Sequence, residues 1–102
     1  MVETAAVWGE DSSDAELITA ARGGDAEAFG ALYTRHAGAA RTVARQYTRS
    51  SADAEDVVGD AFAKVYGVVR GGGGPDVAFR AYLLTAVRRL HVDKVRSTHR
   101  AV

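Results

Sequence analysis

The sequence predicts an all-α protein, a compact bundle of about four helices. Apolar residues recur at spacings of three and four through long segments, alternation of apolar and polar residues is absent, and glycine-rich breaks and short polar caps fall between the segments. At 102 residues, 47% hydrophobic and 25% charged, the chain can bury one core and is too apolar to remain disordered.

Residues 1–13 form an acidic leader, and the folded domain is expected over residues 14–97. Ser13-Asp14-Ala15-Glu16 has the spacing of a capping box, so a first helix should run from Asp14 to Arg22, with Gly23-Gly24 ending it. Asp25 can cap a second helix carrying Phe29, Leu32, Tyr33, His36, Ala40, Val43, Ala44 and Tyr47. Gly30 and Gly38 each cost that helix about 1 kcal/mol relative to alanine, which predicts close helix packing at both points.

Arg49-Ser50-Ser51-Ala52 reads as a turn, and Asp53 as the cap of a third helix with Ala54, Val57, Val58, Ala61, Phe62, Val65, Val68 and Val69 along one stripe. Valine favours strands, but the three-four rhythm over so long a segment outweighs that preference. The stretch from Arg70 through Gly71-Gly72-Gly73-Gly74-Pro75 to Asp76 must be a loop, flexible by composition. Asp76 is expected to cap the last helix, with Phe79, Tyr82, Leu83, Ala86, Val87 and Leu90 on its buried side.

The formal net charge is zero, but its layout is uneven. Residues 1–27 carry seven acids against Arg22, whereas residues 79–102 carry Arg80, Arg88, Arg89, Lys94, Arg96 and Arg100 against Asp93. Arg89 and Arg96 stand seven residues apart on one helix face, with Arg80 and Arg88 on the adjoining surface. Guanidinium groups grip phosphate bidentately and stack on exposed bases, so this stripe suits DNA or RNA; cations favouring the helix dipole would give the same pattern. On the third helix Asp56 and Asp60 lie one turn apart opposite the apolar stripe, near Tyr66, and read better as a protein-docking surface than as a metal site.

Other chemistries find little support. Without cysteine there are neither disulfides nor thiolate metal sites, and a reducing compartment, the cytoplasm, fits best. The N-terminus lacks the basic start and apolar run of a signal peptide, and no apolar stretch is long enough to cross a bilayer. No serine has a histidine partner in view and the glycine run lacks the Lys-Ser/Thr ending of a nucleotide-binding loop, so no enzyme, cofactor or metal is expected. His36 and His91 lie near apolar stripes, where satisfied core histidines are commoner than ligands or bases.

The order of the short motifs is more specific than any one of them. Asp14-Ala15-Glu16-Leu17, Gly24-Asp25, Ala28-Phe29, Leu32-Tyr33, Ala54-Glu55-Asp56-Val57-Val58, Phe79-Arg80-Ala81-Tyr82-Leu83 and Asp93-Lys94-Val95-Arg96 together resemble region 2 of extracytoplasmic-function sigma factors. The resemblance implies a module of bacterial transcription initiation, with no catalysis. Core RNA polymerase, through the clamp coiled coil of its largest subunit, would meet Asp56, Gly59, Asp60, Ala63 and Tyr66. Promoter DNA, as the single-stranded non-template strand of the melted −10 element, would meet Arg70, Gly73, Asp76, Arg80, Arg88, Arg89, Lys94 and Arg96. An anti-sigma factor covering the same surfaces is a further implied partner, and residues 98–102 would begin the linker to a second DNA-reading domain.

Three departures stand out: Gly59 replaces the family's usual glutamine, Arg89 its frequent asparagine, and four glycines a side-chain-rich loop. The rival expectation is a helical protein-interaction module, binding polymerase or a regulator without touching DNA.

Overall fold

The computed structural model describes residues 8–101, with residues 94–101 described as backbone only. Helices α1 (Asp14–Arg22), α2 (Ala26–Tyr47), α3 (Ser51–Arg70) and α4 (Phe79–Ala101) pack around one core, with no strand among the described residues.

Local chemistry sets most helix ends. The Ser13 hydroxyl accepts from the Glu16 amide while the Glu16 carboxylate accepts from the Ser13 amide, at 3.0 and 2.8 Å, completing the capping box expected for α1. Its far end closes with paired bonds, Gly24 N–H to Ala21 O and Asp25 N–H to Ala20 O, both 3.0 Å. Gly24 stands at φ +108, a conformation that a side chain disfavours. Asp25 caps α2 through the Ala28 amide. The end of α3 repeats the α1 arrangement: Gly72 N–H bonds Val69 O and Gly73 N–H bonds Val68 O, with Gly72 at φ +96.

Several expectations need correction. The cap of α3 is Ser50, whose hydroxyl accepts from the Asp53 amide; half of the expected turn is therefore helical, and Asp53 becomes a first-turn acid favoured by the helix dipole. Asp76 does not cap α4, which starts three residues later; its carboxylate pairs instead with Arg22 at 3.3 Å. The backbone of α4 runs on to Ala101. Gly30 and Gly38 are exposed, with nothing within 4 Å of a Cβ built on either, so neither marks a close helix approach.

Leu17, Ile18 and Ala21 of α1, Leu32 of α2, Val58 and Val65 of α3, and Phe79, Leu83 and Val87 of α4 fill the core. Trp8 packs against this cluster and donates its indole N–H to Asp25 Oδ2 at 3.0 Å, while Gly9 O accepts from Arg35; the leader is thus tied to the bundle from Trp8 onward. His36 is the buried polar residue of the core, and both its ring nitrogens have partners: Asp14 through Nε2 and Arg80 through Nδ1, at 2.8 and 3.1 Å.

Candidate nucleic-acid interface

The glycine loop connects α3 to α4 above a groove of about 430 Å³. Val65 and Val68 line it from α3, Ala86 and Leu90 from α4, and Pro75 and Ala78 from the loop end. Tyr82, Thr85 and Arg89 join from one flank of α4, with Lys64 from α3. The site therefore combines an apolar floor, an aromatic ring and two cations. This combination suits an unstacked base and its neighbouring phosphates, because rings take the π-face while cations take the backbone charge.

Tyr82 departs from expectation. Placed by periodicity on the buried side, it is 38% exposed, because it falls at the edge of the stripe whose centre is Phe79, Leu83 and Val87. Lys64 escaped notice altogether. It lies on the flank of α3, and only the pairing of α3 with α4 brings it to the same groove as Arg89.

The loop is bonded to the body of the domain at several points. Its first amides return to the α3 carbonyls, and Gly74 is held at φ +87. The Arg22 guanidinium donates to Gly73 O and Pro75 O at 3.1 and 3.0 Å. Arg70, the last residue of α3, reaches the other way, its guanidinium 4.0 Å from where a Gly24 Cβ would stand.

The expected arginine stripe divides. Arg80 and Arg89, nine residues apart, fall on opposite flanks of α4. Arg89 lines the groove, while Arg80 turns toward α2 and donates from Nε to His36 Nδ1. Arg88 is exposed between them. The side chains of Lys94 and Arg96 lie outside the described residues. Neither Arg88 nor Arg89 forms an ion pair among the described residues, which leaves both cations for an external anion.

On the outer face of α3, Asp56, Gly59, Asp60 and Ala63 are all exposed and follow one another at helical spacing. Tyr66 sits at the edge of this face, half buried, its ring centroid 4.6 Å from that of Phe29. Near the start of α3 Glu55 pairs with Arg41 at 2.7 Å. This acidic face adjoins the cationic groove, since Asp60 and Lys64 stand one turn apart on α3. Among the described residues no group of three or more histidines and acids is placed to hold a metal ion, and no helix is long and apolar enough to cross a membrane.

The family model for sigma-70 region 2 matches residues 32–101. The chain is 35% identical over 88 residues to the ECF RNA polymerase sigma factor SigM of Mycobacterium tuberculosis, an alignment covering 84% of this chain. The chain spans 43% of that relative's length. No solved structure matches significantly. The four-helix bundle, the ordered motifs and the family match over most of the chain lead to one conclusion: the protein belongs to the sigma-70 region 2 family, in its extracytoplasmic-function branch.

Proposed function

We propose that this domain is a non-enzymatic transcription initiation module that docks on core RNA polymerase through the outer face of α3. It holds the single-stranded non-template DNA of an opened promoter in the groove between α3 and α4. The observation that carries the proposal is the convergence of Tyr82, Lys64 and Arg89 on one apolar groove beneath an ordered loop. Unpairing a base costs a few kcal/mol, and capture of the extruded base with contacts to its phosphates offsets that cost. Such a module acts in the cytoplasm, and a regulator that covered the groove or the α3 face would hold it inactive.

The DNA role is tested by titrating labelled single-stranded oligonucleotide at several salt concentrations. Arg89→Ala should weaken binding at low salt by about tenfold, the equivalent of one charge-assisted hydrogen bond. It should also flatten the slope of log affinity against log salt by about 0.7. Unchanged affinity would remove the groove from the mechanism and leave the interaction-module alternative.

The polymerase role has a separate readout. Asp56→Arg reverses one exposed charge on α3 without touching the core, and should reduce capture of core polymerase while leaving oligonucleotide affinity intact or slightly raised. Undiminished capture would move the docking surface elsewhere.

A further inference from the structure

The glycine loop poses a physical problem that its own sequence does not solve. Four consecutive glycines have the largest backbone freedom to lose, yet the loop borders the groove and must present Pro75 and Ala78 to any strand bound there. The paired bonds at the end of α3 hold only residues 71–73. Beyond them the Phe79 amide bonds Val77 O, a link within the loop itself that does not attach it to the body.

We propose that Arg22, far from the loop in sequence and absent from the groove lining, is the positioning residue that fixes this loop for strand capture. The inference rests on the DNA-binding reading above and adds to it a residue that touches no DNA. One guanidinium spans Gly74: Nη2 donates to Gly73 O and Pro75 O at 3.1 and 3.0 Å, and Nη1 pairs with Asp76 at 3.3 Å. The carbonyls of Gly73 and Pro75 flank the residue at φ +87, so the clamp acts where the chain bends. The planar fork of arginine can serve these acceptors together, which a lysine ammonium cannot do with the same geometry.

The base of the clamp is firm. Arg22 ends α1, whose Leu17, Ile18 and Ala21 are fully buried, and its own Nε is buried without a hydrogen-bond partner. One donor is thus left unsatisfied while the terminal nitrogens serve the loop, an arrangement that makes sense if loop order is what is being maintained. Asp76 is 86% exposed at its side chain, so the ion pair adds less than the two carbonyl bonds. A preformed loop spares the strand the cost of ordering it on binding.

The test uses the full chain, with amide hydrogen exchange and labelled oligothymidylate binding across salt concentrations. Wild type, Arg22→Ala and Arg22→Lys are compared, with Arg89→Ala as the contrast. In Arg22→Ala the hydrogen-bonded amides of Gly73 and Phe79, on either side of the clamped carbonyls, should exchange about tenfold faster while those of the α2 core stay unchanged. Oligonucleotide affinity should fall about three- to tenfold with the wild-type salt slope, since no phosphate contact is lost. Arg22→Lys, which keeps the charge at the α1 C-terminus, should fall between the two and secures the comparison should the alanine variant unfold.

Unchanged loop exchange overturns the clamp. A flattened salt slope overturns the positioning role by placing Arg22 on the strand, and a loosened loop with full affinity overturns it by showing that order is not needed. If wild type binds no oligothymidylate, the DNA reading fails, while the exchange measurement still decides whether Arg22 holds the loop.

Discussion

Phe79→Ala is expected to lower the unfolding free energy by about 3–5 kcal/mol, the range for deleting a fully buried aromatic ring. Phe79 is the first residue of α4 and has no exposed surface. Its ring centroid lies 5.2 Å from that of His36, 6.0 Å from Phe29 and 6.4 Å from Phe62, so one side chain joins α4 to both α2 and α3. The cavity left by alanine would open where three helices meet, and none can close it without disturbing the other two. Urea unfolding followed by circular dichroism measures the loss. Because Phe79 immediately follows the loop, the same variant should weaken oligonucleotide binding. A loss below about 1 kcal/mol would mean that the ring does not hold the start of α4.

The second large effect concerns Asp14. Its Oδ1 accepts from Arg35 Nη1 and its Oδ2 from His36 Nε2, both at 2.8 Å. Since His36 Nδ1 accepts from Arg80 Nε–H, the ring proton sits on Nε2 and is donated to Asp14. The chain of contacts ties α1 to α2 and α4. Partial burial pushes the Asp14 carboxyl pKa upward, but the hydrogen bonds from His36 and Arg35, with the Arg35 charge, outweigh it and hold the group below the ordinary value of 3.8.

A carboxyl with a lowered folded-state pKa stabilises the protein above its unfolded-state pKa, and that contribution disappears as pH falls through the folded value. Stability should therefore decline below about pH 3.8, with Asp14 contributing to the slope. Asp14→Asn keeps the shape but sets an amide N–H against one of two donors, and should cost about 1–3 kcal/mol at neutral pH. It should also flatten the acid limb of the stability curve, measured by urea unfolding at several pH values. An acid limb identical to wild type would show that the carboxylate is not what links these helices.

The elements that were legible in the sequence are those governed by neighbours in the chain. The bounds of α1, its capping box, the glycine stop and the Asp25 cap all depend on groups within a few residues of one another, and each was predicted as it stands. The errors arose where two local solutions compete equally. Ser50 and Asp53 are both good caps, and the longer α3 that starts from Ser50 buries Ala54 in its first turn. Asp76 is an equally good cap on paper, but Arg22, coming from a distant helix, takes its carboxylate.

The candidate site was half legible. Its cations are visible as a basic C-terminal segment that includes Arg89. Which arginines share a surface was not visible, since a charge on a helical wheel has a direction but no neighbour. Arg80 belongs to the His36 network and Arg89 to the groove. The groove itself, with Lys64 from one helix and Tyr82 from another, exists only once α3 and α4 are paired.

The sequence by itself determined the all-α class, the number of helices and most of their ends, because hydrophobic periodicity and capping are short-range and act residue by residue. Through the order of its motifs it also identified the family. Only the tertiary structure decided that a four-glycine loop is held in place by Arg22, that His36 bridges Asp14 and Arg80, and that Tyr82 faces a groove instead of the core. Each of these depends on contacts between residues far apart in the chain. Their geometry is set by helix packing, which no local pattern encodes.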